Sequence, residues 1–208
     1  MKIFERIAEL SHYLESQRKK GKIIGLVPTM GALHQGHAQL LKEAKEDCDL
    51  VVCSVFVNPT QFNNKSDFEK YPSKIDEDKE LLIKVGCDVL FCPTAEEMYP
   101  DGKPVLNMDF GFLETVMEGK FRPGHFSGVG VVVSKLLNIV QPNRAYFGQK
   151  DLQQLAVIKR LVKDLNIQTE IVKVATVRES GGLALSSRNL RLSSLQKEIA
   201  SNLYRIMN

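Results

Sequence analysis

Two histidines three residues apart, His34 and His37, end a segment that could bind phosphate. Residues 28–37 read Pro-Thr-Met-Gly-Ala-Leu-His-Gln-Gly-His, directly after a short apolar run. Gly31 and Gly36 permit a tight turn and a close approach of the backbone to a ligand. A helix is predicted to begin near Gly36 or His37, and the free N–H groups of a helix N-terminus favour phosphate. Since imidazoles add hydrogen-bond donors, we expect a phosphate site here rather than a loop with two surface histidines.

A second polar segment lies near the C-terminus, where residues 185–188 read Leu-Ser-Ser-Arg. It offers two hydroxyls and a guanidinium, and Arg188 could clamp phosphate oxygens through two parallel hydrogen bonds. Taken alone the segment is a weak signal, because Ser-Ser-Arg is common in solvated loops. Together with the upstream His-x-Gly-His pattern it becomes much more specific.

The elements that must position these segments follow from an alternation of apolar runs and helical patterns. Apolar runs typical of buried strands span residues 23–27, 50–57, 88–91, 144–147 and 169–174. Patterns typical of helices span residues 3–18, 37–47, 76–85, 128–139, 152–165 and 195–206. Fully apolar strands that alternate with helices predict a parallel sheet covered on both faces. The expected fold is a doubly wound, Rossmann-like α/β domain of about five to six strands.

Polar segments follow four of the predicted strands at the point where each strand ends. They cover residues 29–37, 58–62, 148–151, and 178–179 together with 185–189. In a doubly wound fold, ligands bind at the carboxyl ends of the strands. We therefore expect these four segments to converge on one edge of the sheet.

The composition disfavours several classes of protein. The chain has 208 residues, of which 43% are apolar, and its net charge is +3. That charge is too mild to imply a nucleic-acid or membrane-surface partner. The apolar runs are far shorter than the ~20 residues that span a bilayer, and the N-terminus is unlike a signal peptide. We expect a cytoplasmic protein that binds small molecules.

The four cysteines, Cys48, Cys53, Cys87 and Cys92, form two C-x4-C pairs. A structural zinc site is one interpretation of this spacing. We favour ordinary buried thiols, because Cys53 and Cys92 lie within apolar runs and the short C-x2-C pattern typical of zinc knuckles is missing.

Five longer segments spread over nearly the whole chain narrow the function. They are residues 28–37, Phe-Val-Asn-Pro-Thr-Gln-Phe at 56–62, Phe-Arg-Pro-Gly-His-Phe at 121–126, Tyr-Phe-Gly-Gln-Lys-Asp-Leu-Gln-Gln at 146–154, and Thr-Val-Arg-Glu at 176–179 with Leu-Ser-Ser-Arg-Asn at 185–189. In this order they resemble the pantothenate synthetase (pantoate–β-alanine ligase) family. The first and last also resemble the H-x-G-H and K-M-S-K-S elements of nucleotidylyltransferases and class I aminoacyl-tRNA synthetases, which attack an α-phosphate and release pyrophosphate.

The family resemblance implies a two-step reaction. ATP and pantoate form pantoyl adenylate and pyrophosphate, and β-alanine then attacks the adenylate to give pantothenate and AMP. The resemblance also implies a homodimer. We expect Mg²⁺ to be bound mainly through the ATP phosphates, with no metal ligand assigned to the protein.

The resemblance further implies roles for individual residues. The candidate catalytic residues are His37, His34 and Lys150, and the candidate pantoate- or β-alanine-binding residues are Gln61, Gln154, Asn58 and Arg122. The candidate ATP-binding residues are Met30, Gly31, Ala32, Leu33, His34, Gln35, Gly36, His37, Gly148, Gln149, Lys150, Asp151, Val177, Leu185, Ser186, Ser187 and Arg188.

Some of these residues also have ordinary interpretations. Gln61 could be a turn residue beside Pro59, and Gln154, early in a predicted helix, could be solvated. Asp151 could simply cap the helix that follows it. The acidic run at residues 76–78 is expected to be a solvated first turn that complements the helix dipole, or alternatively to approach Mg²⁺.

Two features depart from the family pattern. Gln149 stands where the family has Glu, and we expect little effect because the bonding there can be made by the backbone. The family also continues beyond the Ser-Ser-Arg-Asn segment into a smaller C-terminal domain that covers the site. We therefore expect residues 1–175 to form the Rossmann-like ATP- and pantoate-binding domain and residues 176–208 to begin a truncated lid domain. Such a chain could hold ATP yet shield the adenylate poorly from water.

Three other functions stay open at this point. A nucleotidylyltransferase would share the histidines but would not need glutamines for pantoate. A non-catalytic nucleotide-binding module would bind ATP without forming an adenylate. An RNA-binding relative of the synthetases is disfavoured by the mild charge.

Overall fold

The computed structural model describes residues 1–207, with the side chains of all of them except Lys65, Leu190, Arg191 and Met207. The C-terminal region expected from the sequence ends at Asn208, which lies outside the described residues. The described strands are β1 (Lys2–Phe4), β2 (Ile24–Thr29), β3 (Leu50–Val55), β4 (Val89–Phe91), β5 (Arg144–Gly148) and β6 (Glu170–Val174). They form one six-stranded parallel sheet in the order β1-β4-β3-β2-β5-β6, which confirms the predicted fold class.

Helices connect and flank these strands. The α-helices of the described residues are α1 (Ile7–Arg18), α2 (Gln35–Asp47), α3 (Lys65–Glu69), α4 (Ile75–Lys84), α5 (Ala95–Met98), α6 (Phe112–Thr115), α7 (Met117–Phe121), α8 (His125–Val140), α9 (Leu152–Asp164) and α10 (Ser194–Met207). Short 3₁₀ turns lie at Pro59–Gln61, Gln149–Asp151 and Ser187–Arg191. None of the helices in this part of the chain is both long enough and apolar enough to cross a membrane.

The strand order creates a switch point between β2 and β5. From β2 the chain runs outward to β3 and β4, whereas β5 and β6 lie on the opposite side of β2. Connections that leave in opposite directions open a crevice at the carboxyl ends of two neighbouring strands. Residues 30–37 follow β2 and residues 149–151 follow β5, so both polar segments meet at this crevice.

Two apolar layers hold the sheet, one on each face. Leu26 and Val52 point into a core with apolar side chains of α1, α8 and α9. Val27 and Cys53, the next residues along the same strands, point into a second core with α2 and α4. This alternation with a period of two places apolar residues on both faces, which is why β2 and β3 read as continuous apolar runs.

Strand β1 was missed by the sequence prediction, which placed a helix over residues 3–18. The helix begins at Ile7, and Lys2–Phe4 instead pairs with β4 at the edge of the sheet. Ile3 fits the helical spacing of Ile7 and Leu10, so the local pattern favours the helix. The pairing with β4 is a contact with residues 89–91, which no local pattern reveals.

The four cysteines are free thiols in the apolar layers. Cys48, Cys53 and Cys87 are buried and Cys92 is partly buried. Burial raises the pKa of the Cys87 thiol to about 11 and raises that of Cys53 as well, which makes both poor thiolate ligands at neutral pH. Among the described residues, no group of three or more His, Cys, Asp or Glu side chains is arranged to hold a metal ion.

Candidate active site

A cleft of about 220 Å³ opens at the switch point between β2 and β5. It brings together most of the residues that the sequence singled out. Those that line it are Met30, His34, Gly36, His37, Asn58, Gln61, Arg122, Gly148, Lys150, Asp151, Gln154, Val177, Leu185, Ser186, Ser187 and Arg188. Those that lie outside its lining are Gly31, Ala32, Leu33, Gln35 and Gln149, of which Gln35 and Gln149 are exposed. Cleft residues with no assigned role from the sequence include Tyr71, Glu118 and His125.

His34 and His37 cap the helix that begins between them. His34 is the N-cap of α2, and its Nδ1 accepts a hydrogen bond from the Gly36 N–H at 3.1 Å. The His37 Nδ1 accepts from the His34 N–H at 3.2 Å. A backbone N–H can only donate, so each Nδ1 carries no hydrogen, and each neutral ring carries its hydrogen on Nε2. The cap therefore turns both imidazoles into Nε2–H donors, with ring centres 4.2 Å apart.

Both rings favour the neutral form. Burial lowers the pKa of His37 to about 3, and the neighbouring His34 and Lys150 add to the decrease. Burial and then Lys150 also lower the pKa of His34, while Asp151 opposes the shift. The histidines thus act as uncharged donors at neutral pH, and the positive charge beside them comes from Lys150.

We expect the free energy of unfolding to fall as the pH drops from 6.5 toward about 3, in part because of His37. In this window the unfolded chain binds a proton at His37 and the folded chain does not, so protonation favours the unfolded state. One such group contributes at most about 1.4 kcal/mol per pH unit. Urea titrations over the upper part of this window should therefore show a shallower pH slope for His37→Asn than for the wild type. Identical slopes would contradict the lowered pKa.

Asp78 anchors the loop that precedes the histidines. Its carboxylate, only 2% exposed, accepts hydrogen bonds from the Ala32 N–H at 2.9 Å and the Leu33 N–H at 2.6 Å. Gly31 and Ala32 both have positive φ angles, 82° and 50°. A Cβ on Gly31 would lie 3.0 Å from the Asp78 Oδ2, and the φ of 82° would strain any residue with a side chain, so both features favour glycine. The expectation of a solvated acidic turn was wrong for Asp78, although Asp76 in the same turn is exposed.

Asn58 fixes the orientation of the Gln61 amide. The Asn58 Oδ1 accepts from the Thr60 N–H at 3.3 Å and from the Tyr99 hydroxyl at 2.8 Å. Its Nδ2 therefore faces the other way and donates to the Gln61 Oε1 at 3.1 Å and to the Gly128 carbonyl at 3.2 Å. The Gln61 Oε1 is thereby turned toward Asn58, and the Gln61 NH₂ group lies 3.1 Å from the Met30 Sδ at the cleft wall. Asn58 is itself 1% exposed, and it acts on the cleft through Gln61.

The neighbouring glutamines of α9 have different environments. Gln154 lines the cleft, whereas Gln153 is buried. The Gln153 side chain donates to the Leu113 and Val116 carbonyls at 2.7 and 2.9 Å and accepts from the Glu118 N–H at 2.9 Å. Gln153 thus holds the segment between α6 and α7 against α9, beside the residue that faces the cleft.

Charged side chains form ion pairs at the rim of the cleft. The Lys150 Nζ lies 2.9 Å from the Asp151 Oδ1. Asp151 precedes α9, but its side chain pairs with Lys150 and makes no capping hydrogen bond in the structure as described. The Ser186 hydroxyl accepts from the Arg188 N–H at 3.2 Å, and the Arg188 Nη2 lies 3.6 Å from the Asp67 Oδ2. The rim therefore offers cationic and hydroxyl groups suited to phosphate oxygens.

Comparisons with known proteins agree on one family. The family model described as Pantoate-beta-alanine ligase matches residues 2–208. The chain is 50% identical over 202 residues to the pantothenate synthetase of Cytophaga hutchinsonii and 51% identical over 203 residues to that of Aquifex aeolicus. These alignments cover 97% and 98% of this chain, and 71% and 72% of the relatives.

Solved structures give the same result for the fold. The chain is similar to a pantoate-beta-alanine ligase from Francisella tularensis, determined in complex with beta-gamma ATP and beta-alanine, with a TM-score of 0.94 and 47% identity over 100% of this chain and 79% of that one. It is likewise similar to a pantothenate synthetase from Thermus thermophilus, with a TM-score of 0.91 and 47% identity over 99% of this chain and 72% of that one.

Proposed function

The chain belongs to the pantoate-beta-alanine ligase family, and we propose that the cleft at the switch point carries out both steps of pantothenate synthesis. In the first step a carboxylate oxygen of pantoate bonds to the α-phosphorus of ATP, the bond to the bridging oxygen breaks, and pyrophosphate leaves. In the second step the β-alanine nitrogen bonds to the acyl carbon and loses a proton, the bond from that carbon to the phosphate oxygen breaks, and AMP leaves.

The capped histidine pair carries this proposal. Negative charge builds up on the phosphate oxygens as the α-phosphorus is attacked, and donors already in place stabilise that charge most effectively. His34 and His37 have their Nδ1 atoms bonded to the backbone, so their Nε2–H groups are oriented before ATP binds. Lys150 supplies a positive charge close enough to lower the pKa of both histidines.

Pantoate binding is assigned to Gln61 and Gln154, which both line the cleft. The Gln61 NH₂ group, turned into the cleft by Asn58, can donate to a hydroxyl or carboxylate oxygen of pantoate. Apolar residues of α8, including Val129 and Val133, line the same cleft and suit the two methyl groups of pantoate. This combination of amides and aliphatic wall supports a pantoate site, because a general nucleotidylyltransferase would not need the glutamines.

ATP binding is assigned to the α2 N-terminus, the turn Gln149–Asp151 and the segment at residues 185–188. Mg²⁺ is proposed to enter with the ATP phosphates and to keep several waters, as it does in many ATP sites. Two carboxylates already have protein partners, which suits an ion held mainly by phosphates and water. Asp78 accepts hydrogen bonds from the loop N–H groups, and Asp151 pairs with Lys150. When bound, the ion would neutralise charge on the phosphates.

The wider organisation is also proposed from the family resemblance. Residues 1–175 form the ATP- and pantoate-binding domain, a division supported by β6, the last described strand of the sheet, which ends at Val174. Residues 176–208 begin the C-terminal region. The enzyme is further proposed to be a cytoplasmic homodimer.

The test of this function is a coupled assay for pyrophosphate. We expect release to require both ATP and pantoate, to stop after about one equivalent without β-alanine, and to continue with AMP formation when β-alanine is added. Gln61→Ala should lose pantoate-dependent release, because the donor to pantoate is gone. Release that is independent of pantoate, or full activity of Gln61→Ala, would contradict the assignment.

A further inference from the structure

Arg122 is held in place by two partners. It follows α7 and lines the cleft, with 26% of its side chain exposed. Its Nη1 donates to the Glu118 Oε1 at 2.5 Å and to the His125 Nε2 at 3.0 Å. A guanidinium held on one edge keeps its other N–H groups for a second partner.

His125 connects Arg122 to Gln61. The His125 ring is 4% exposed, and its Nδ1 lies 2.8 Å from the Gln61 carbonyl oxygen. A carbonyl only accepts, so Nδ1 carries the hydrogen and the neutral ring presents a lone pair at Nε2 to Arg122. Burial lowers the pKa of His125, with Arg122 and Arg188 adding to the decrease and the Gln61 carbonyl and Glu118 opposing it. A neutral ring is the form that can accept from Arg122.

Glu118 connects Arg122 to the other glutamine-bearing element. The Glu118 N–H donates to Gln153, the residue before Gln154 on α9. Arg122 is therefore tied by hydrogen bonds to both elements that carry the pantoate glutamines. Lys150 lies with the histidines instead, since it lowers the pKa of both. The cleft thus has Lys150 near the capped histidines and Arg122 beside His125, with Arg188 close enough to lower the pKa of the same His125 ring.

We propose that Arg122 binds the carboxylate of the amino acid that attacks the adenylate, and that His125 is its positioning residue. This inference rests on the proposed function. The pantoate carboxylate must face the α-phosphorus in order to react. We therefore do not expect it to bind Arg122, which is linked through His125 to Gln61. The second substrate carries its own carboxylate, and a guanidinium binds such a group through two parallel hydrogen bonds. Arg122 would then select amino acids over simple amines.

The test compares β-alanine with propylamine, which has the same nitrogen and carbon chain length but no carboxylate. We expect Arg122→Gln to raise the KM for β-alanine about 10- to 100-fold, and to raise it at least about tenfold more than the KM for propylamine, which has no carboxylate to lose. Arg122→Lys, which keeps the charge but loses the paired geometry, should fall between the two. Arg144→Gln, at the opposite end of β5, is the matched control and should change neither substrate.

The positioning role of His125 has its own readout. His125→Asn keeps a donor for the Gln61 carbonyl and loses the acceptor for Arg122, so it should raise the KM for β-alanine about 10-fold without changing that for pantoate. Three results would overturn the proposal. They are an equal loss of activity with both amines in Arg122→Gln, an increased KM for pantoate in that variant, and a loss of activity selective for β-alanine in Arg188→Gln instead. Failure of the proposed function would look different, because the wild type would then release no pyrophosphate in response to pantoate.

Discussion

His37→Asn is expected to slow pyrophosphate release from ATP and pantoate by about 10²- to 10³-fold, the usual cost of one lost donor to a developing oxyanion. The Asn side-chain oxygen occupies the position of the imidazole Nδ1, so it can still accept from the His34 N–H that Nδ1 accepts in the wild type. What the variant lacks is the Nε2–H donor. The two functions of one ring are thereby separated in a single substitution.

The expected signature is a slow enzyme that remains folded. Single-turnover pyrophosphate release should fall in His37→Asn, while its resistance to urea at neutral pH changes by less than about 1 kcal/mol. His37→Gln is the complementary variant, since its amide reaches the Nε2 position but cannot accept from the backbone, and it should lose stability more than rate. His12→Asn, on the exposed surface of α1, is the matched control. A wild-type rate in His37→Asn would remove His37 from the mechanism.

The parts of the site that could be predicted from the sequence are those whose signals are local. The His-x-Gly-His spacing, the glycines beside it and the preceding apolar run all lie within one short segment, and together they predict the loop and the start of α2 that the structure shows. Strands β2 to β6 were predicted for the same reason, because each contains a short apolar run. The tautomer of each histidine was not predicted, since it depends on which N–H group meets which ring nitrogen.

The parts that could not be predicted depend on contacts between distant segments. Asp78 bonds to Ala32 across 46 residues of sequence, and His125 bonds to the Gln61 carbonyl across 64. Two signals were nevertheless available. Glu118 and Arg122 have the four-residue spacing of a helical ion pair, and Gln153 shares the buried face of α9 with Val157 and Leu161. A polar residue on such a face needs buried partners, which distinguishes Gln153 from Gln154.

Asp78→Ala is expected to lower the free energy of unfolding by about 2–5 kcal/mol, because the Ala32 and Leu33 N–H groups would be left buried without their partner. It should also weaken ATP binding at least about tenfold. Ala32 holds a φ of 50°, a strained conformation for a residue with a side chain, and the two hydrogen bonds to Asp78 hold it there. Without these hydrogen bonds the loop can relax, and the position of His34, which follows the loop and caps α2, is no longer fixed.

Asp76→Ala provides the matched control for this prediction within the same first turn of α4. The Asp76 side chain is 91% exposed and pairs with Lys79 at 3.4 Å, so its removal should cost less than about 0.5 kcal/mol and leave ATP affinity unchanged. Urea unfolding and calorimetric titration with ATP measure the two effects separately. If both variants behaved alike, Asp78 would be a solvated helix-turn residue after all. If Asp78→Ala lost stability but bound ATP normally, its carboxylate would support the fold without positioning the loop for ATP. If Asp78→Ala alone lost both stability and ATP affinity, the Asp78 carboxylate would be shown to position the loop for ATP. It would do so through its hydrogen bonds to the loop, without contacting ATP itself.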